Sequence, residues 1–178
     1  MNDPRRIETA RLSLRPIGEE DFAELCTLMA DPEVGGQLQH GALDTAATRR
    51  MLDDYLAMWR DKGYGMFSLR RRVDGRFVGI SGLWDHHDGI GVASRVAIAR
   101  RAKGEGYAPE AGIAVIRFAF ETLGLDTVWA VTRESNPDAQ RALAKMGWTL
   151  QLRYEANGKT LLRFNMTREQ WSAGEKMA

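Results

Sequence analysis

The stretch RAKGEGYAPEAGIAVIRFAFETLG, residues Arg101 to Gly124, opens glycine-rich, then carries Ile113, Ile116, Phe120 and Leu123 at helical intervals and ends at Gly124. It reads as a loop feeding an amphipathic helix. Just ahead of it, Gly91 to Ala99 reads as a strand, so Gly104 and Gly106 fall in a strand-to-helix turn. Such a turn presents unpaired backbone N–H groups and the positive end of a helix dipole, the setting in which a phosphate or pyrophosphate binds. Two glycines also serve a chain that merely has to bend, so the turn alone leaves both readings open. Two other phosphate motifs fail on spacing. A dinucleotide fingerprint needs a small residue where Pro109 stands and an acidic residue closing the next parallel strand, which is lacking. Gly158-Lys159-Thr160 copies the end of a P-loop, but its opening glycine would have to be at Arg153, and the triplet sits in a hairpin turn.

Outward from that stretch, Arg11 to Arg15 alternates as a first strand stopped by Pro16. Glu19 to Ala30 and Asp44 to Asp61 carry apolar stripes at helical spacing. The glycine-rich segment between them, Asp31 to Leu43, resists regular structure and suits a mobile lip over a cleft or a plain connector. Gly65 to Arg72, Arg76 to Trp84 and Gly91 to Ala99 read as an antiparallel meander with turns at residues 73–75 and 85–89. Thr127 to Thr132 is a short strand and Pro137 to Met146 a helix. Trp148, Leu150, Leu152 and Tyr154 then alternate on one strand face, and Asn157-Gly158 turns the chain back through Leu162, Phe164 and Met166 to a terminal helix near Trp171. This order gives a mixed α/β (α+β) fold, one sheet with helices on its faces.

The chain has 178 residues, of which 44% are hydrophobic and 28% charged, which suits a single globular domain over 1–178 with a sizeable core. Lys plus Arg number 25 against 24 Asp plus Glu, a net charge of +1 that supplies no general field for nucleic acid or an anionic membrane. The lone Cys26 cannot form an intrachain disulfide, the start carries no apolar leader, and Arg117 interrupts the longest apolar run. The expectation is a cytoplasmic protein without membrane or nucleic-acid partners.

Three segments, in order, resemble the GNAT superfamily of N-acetyltransferases, and within it the ribosomal-protein N-terminal acetyltransferase-like branch. They are IETARLSLRPIGEEDFAELCTLMADPEV (Ile7 to Val34), RAKGEGYAPEA (Arg101 to Ala111) and NPDAQRALAKMGW (Asn136 to Trp148). The second fits the family's Arg/Gln-x-x-Gly-x-Gly/Ala acetyl-CoA motif. The resemblance implies a splayed, mostly antiparallel sheet of about seven strands with helices on both faces. It further implies acetyl-CoA as cosubstrate, met by the backbone of Ala97, Ile98 and Ala99 along the pantetheine arm and thioester. The amides of Arg101, Ala102, Lys103, Gly104, Glu105, Gly106 and Tyr107 would meet its pyrophosphate, and Asn136 its pantetheine. Arg141 or Lys145 on the following helix could meet a 3′-phosphate. Glu105 departs from what a pyrophosphate loop favours, and its side chain is expected to face solvent.

Attack on a thioester needs a neutral amine, whereas lysine and α-amino groups are mostly protonated at pH 7. Glu134, His86 and His87 are the candidate bases, each with the bland alternative of a solvated polar turn. Where members of the family carry a proton-donating tyrosine or serine for the leaving thiolate, this chain has Leu143 and Ala139, neither of which can donate. Asp85, His86, His87 and Asp88 have poor spacing for a metal, and none is expected. The acceptor is read as a primary amine, on a small molecule or a protein N-terminus. A non-catalytic acyl-CoA-binding or sensing module is the alternative, and the final hairpin offers an edge through which a homodimer could form.

Overall fold

A computed structural model describes residues 3 and 5–177; residues 1, 2, 4 and 178 of the domain expected over 1–178 lie outside the described part. The elements are β1 (Ile7–Glu8), β2 (Leu12–Pro16), α1 (Phe22–Ala30), α2 (Thr45–Lys62), β3 (Met66–Arg71), β4 (Phe77–Asp85) and β5 (Val92–Ile98). They continue with α3 (Tyr107–Arg117), β6 (Thr127–Arg133), α4 (Pro137–Lys145), β7 (Thr149–Ala156), β8 (Lys159–Thr167) and α5 (Arg168–Met177). Among the described residues the strand order is β1-β2-β3-β4-β5-β6-β8-β7, an open, mostly antiparallel sheet accompanied by five helices. Its eighth strand, beyond the seven expected, is the two-residue β1, which pairs only with Ser13 and Leu14. Pro16 does not follow the end of β2 but forms it: it lies opposite Phe67 of β3, and β1 does not reach it, so no ladder partner is left without a donor there.

The chain divides into two compact units, residues 1–84 with 95–115, and residues 85–94 with 116–178. In the first, β1 to β4 are successively antiparallel. Leu25, Met29, Leu52, Met66 and Ile80 are fully buried in its core cluster, which also takes in Tyr55, Ala97 and Ala99. The α1–α2 connection is more ordered than its glycine content predicts. It contains a 3₁₀ turn at Gly35–Gln37, Val34 and Gly35 are buried, and the Leu43 N–H reaches back to the Met29 carbonyl at 3.0 Å.

In the second unit the start of β5 pairs in parallel with β6 at Ala93 and Trp129, while β6, β8 and β7 are antiparallel. Val128, Leu162, Phe164 and Met166 are buried there. The expected alternation of Trp148, Leu150, Leu152 and Tyr154 on one face is broken. The register shifts between Leu150 and Leu152, so that Leu150 lies opposite Phe164 but Leu152 lies opposite Arg163. A single extra residue, Gln151, turns everything after it to the other face. No helix among the described residues is long and apolar enough to cross a membrane.

Candidate active site

The end of β5 is drawn tightly against β4. Gly79 has φ +151, and a Cβ there would collide with the carbonyl oxygen of Ala97, so only glycine permits this approach. Ala97, Ile98 and Ala99 are buried in consequence. The Ala99 N–H donates to the Val78 carbonyl at 2.8 Å. Strand alternation therefore turns the peptide N–H of Ile98 away from β4.

Beyond β5, a 3₁₀ turn at Arg100–Ala102 leads into the glycine turn, where Gly104 and Gly106 have φ of +81 and +79. A Cβ on Gly106 would also stand 3.3 Å from Arg11 Nη2. Among the described residues, no backbone acceptor is recorded for the N–H groups of Gly104, Glu105 and Gly106. The helix start at Tyr107 adds further unpaired amides. Glu105 is exposed.

Sequence reasoning missed the clamp that holds this turn. Glu110, in the first turn of α3, accepts from Thr9 Oγ1 at 2.6 Å, from the Arg11 N–H at 2.8 Å and from Arg11 Nε at 2.7 Å. Arg11 in turn donates through Nη1 to the Glu105 carbonyl at 2.7 Å and stacks on the Tyr107 ring at 4.8 Å. Burial alone would raise the Glu110 carboxyl, but the bonds from Thr9 and Arg11 outweigh it and hold the group below its ordinary value. These partners are about a hundred residues apart in sequence, so no local pattern marks them.

The basic side chains of the turn are committed elsewhere. Arg100 makes a fork to Asp31 at 3.1 Å for both contacts and lies 3.4 Å from Glu33, Lys103 Nζ donates to the Glu33 carbonyl at 2.6 Å, and Arg101 donates to the Phe77 carbonyl at 2.8 Å. Of the three, only Arg100 is paired with carboxylates; Lys103 and Arg101 meet backbone carbonyls. A cavity of about 460 Å³ lies beside it, with Thr27, Leu28, Phe77, Ala99 and Arg101 among its lining residues.

The candidate bases lie in the second unit. Glu134 is gripped by Arg153, with Nε at 2.7 Å and Nη2 at 3.1 Å, and this pairing holds its carboxyl below the usual range. His86 is not part of a solvated turn as the sequence suggests. Its side chain is 1% exposed, and Nδ1 lies 2.6 Å from Asp88, which Arg163 holds from the other side at 2.6 Å. Burial lowers the His86 pKa more than the bond to Asp88 raises it. His87 is exposed and stacks on His86, with ring centroids 4.5 Å apart. Asn136 caps α4, its Oδ1 accepting from the Ala139 N–H at 3.2 Å, while Arg141 is exposed and pairs with Asp138. Among the described residues no cluster of three His, Cys, Asp or Glu side chains is arranged to hold a metal.

Residues 11–149 match the family model described as an acetyltransferase (GNAT) domain. The fold is similar to that of an acetyltransferase from Agrobacterium tumefaciens, with 25% identity, a TM-score of 0.83, and coverage of 94% of this chain and 96% of that one. A spermidine N-acetyltransferase from Vibrio cholerae, solved with CoA and spermine, has a similar fold at 15% identity and a TM-score of 0.77, over 92% of this chain and 99% of that one. So does a ribosomal-protein-serine acetyltransferase-like chain from Vibrio cholerae, at 21% identity and a TM-score of 0.72, over 94% and 99%. With the family model spanning most of the sequence and the glycine turn lying between β5 and α3, the chain belongs to the GNAT acetyltransferase family.

Proposed function

We propose that the protein transfers an acetyl group from acetyl-CoA to a primary amine by direct attack, without a covalent enzyme intermediate. The observation that carries this reading is the glycine turn at Gly104–Gly106, whose amides have no recorded acceptor and whose two positive-φ glycines leave no side chain over them. Acetyl-CoA, when bound, supplies the activated acyl group. Of the amides expected from Arg101 to Tyr107, those of Ala102 and Lys103 are given to the Ala99 and Arg100 carbonyls at 2.8 and 3.2 Å, so the amides of Gly104, Glu105, Gly106 and Tyr107 are the ones that would hold its pyrophosphate, with the helix dipole of α3 behind them. Along β5, the N–H of Ile98 is the donor we assign to the charge that develops on the carbonyl oxygen, since the Ala99 N–H is already given to Val78. Asn136 and Arg141 remain the candidates for the pantetheine and 3′-phosphate.

As the C–N bond forms and the C–S bond breaks, the amine loses a proton and the thiolate gains one. Glu134, held by Arg153, His86, buried with Nδ1 on Asp88, and the exposed His87 are the candidates for taking the amine's proton. Ala139 and Leu143 cannot donate, so we assign the thiolate's proton to solvent. That same absence favours the second reading, a non-catalytic acyl-CoA-binding module.

Calorimetric titration with acetyl-CoA, with free CoA and ATP as comparison ligands, tests the site. Saturable one-to-one binding that ATP does not reproduce is expected, and Gly106→Val should weaken it at least tenfold, about 1.4 kcal/mol. No binding would overturn the proposal. Binding without acceleration of thiol release by any amine would favour the sensing module.

A further inference from the structure

The half-buried arginines of the first unit are Arg15, Arg49, Arg70, Arg71 and Arg95. Arg15 and Arg70 share the fully buried Asp21, Arg49 pairs with Glu19 and Asp53, and Arg71 pairs with Asp74. Among the described residues no carboxylate pairs with Arg95. Its Nη1 donates to the Tyr55 hydroxyl at 2.9 Å, and its guanidinium lies over the Trp84 ring, 4.3 Å from the centroid. An aromatic face and a phenol oxygen orient a guanidinium but do not neutralise it. A half-buried guanidinium in that state keeps its charge and most of its donors available to a counter-charge from outside the chain.

The position of Arg95 says where such an anion would lie. On β5, Arg95 shares a face with Ala97, two residues and about 6.6 Å further along. Ala97 opens the segment assigned above to the thioester. Tyr55 comes from α2 and Trp84 from the end of β4, so the guanidinium is fixed by two separate elements, and most of its five N–H donors remain for a ligand. Asp31 and Glu33, the acidic residues at the start of the α1–α2 connection, are paired with Arg100.

We infer that Arg95, held by Tyr55 and Trp84, receives the carboxylate of the acceptor, and that the acceptor is a small primary amine carrying a carboxylate, of the α-amino acid type. This rests on the acetyltransferase reading and specifies its substrate. A carboxylate takes two parallel N–H bonds from a guanidinium, so the contact fixes the orientation of the amine as well as its affinity. A polyamine such as spermidine brings only positive charge to the same place and is disfavoured.

The test compares alanine, methionine and phenylalanine with their carboxamides, and with spermidine, as acceptors for the wild type, Arg95→Gln and Arg95→Lys. The ratio of kcat/KM for acid over amide cancels the differing basicity of the amines when it is compared between wild type and variant. Arg95→Gln should lower that ratio at least tenfold through a raised KM for the acid, leave the affinity for acetyl-CoA within twofold, and be partly rescued by Arg95→Lys. An unchanged ratio, or a wild type that favours spermidine, overturns the inference. If Arg95→Gln loses its fold by circular dichroism, product inhibition of the wild type decides: N-acetylmethionine must inhibit at least tenfold more strongly than its amide. If no amine is turned over, calorimetry on the CoA-loaded protein with the same two N-acetyl compounds replaces kinetics, and equal or absent binding of both overturns it. Failure to bind acetyl-CoA is a separate outcome that removes the acetyltransferase reading itself.

Discussion

Glu110 shows how much one side chain contributes to the turn. It places a negative charge in the first turn of α3, where the helix dipole favours it, and takes three donors from Thr9 and Arg11, just ahead of β2. Glu110→Gln keeps the shape but loses the charge on those bonds, and should cost about 1.5 to 3 kcal/mol in urea unfolding. The pH dependence follows from the direction of the shift. A carboxyl held below its ordinary value of 4.5 contributes stability that is complete above that value and is lost as the pH falls through its lower folded value. The gap between wild type and Glu110→Gln should therefore be constant near neutrality and close in acid. A gap that widened on acidification would contradict the clamp. Nothing in the sequence near Glu110 announces this role, because its partners Thr9 and Arg11 lie at the other end of the chain.

At the scale of elements, the approach of β4 to β5 is the arrangement on which the site depends. Gly79 sits beside a register shift, where β3 passes from Leu69 opposite Gly79 to Arg70 opposite Phe77, and its positive φ lets the strand bend in towards Ala97. Gly79→Ala combines an unfavourable backbone with a collision and should destabilise by about 2 kcal/mol or more, read as a lower urea midpoint at unchanged slope. A neutral result would mean that the strands can separate there without loss. The sequence marked β4 as a strand, but could not distinguish this glycine from an ordinary interruption.

For the whole molecule, a ligand that binds only the folded chain must stabilise it. At a free acetyl-CoA concentration of 100 times its Kd, the gain is about 2.7 kcal/mol, and for a chain of this size the melting temperature should rise by about 5 to 10 °C. Scanning calorimetry with and without acetyl-CoA reads this directly, and Gly106→Val should abolish most of the shift at the same ligand concentration. A rise of equal size with ATP would show that the turn recognises phosphate alone and not the acyl carrier.

The sequence by itself determined the mixed α/β class, the order of the helices and of strands β2 to β8, the glycine turn ahead of α3 and the family resemblance. These are local signals: apolar spacing of two or near 3.6 residues, and glycines where the backbone takes a positive φ. Only the tertiary structure decided which charges meet. It joined Glu110 to Arg11, spent Arg100 on Asp31, buried His86 against Asp88, and left Arg95 with aromatic partners in place of a carboxylate. It also placed the bulge at Gln151 that reverses the face of Leu152. The reason is physical: pairing between distant side chains depends on register and burial, which arise from the packing of the whole chain, whereas periodicity and turn chemistry are properties of neighbouring residues.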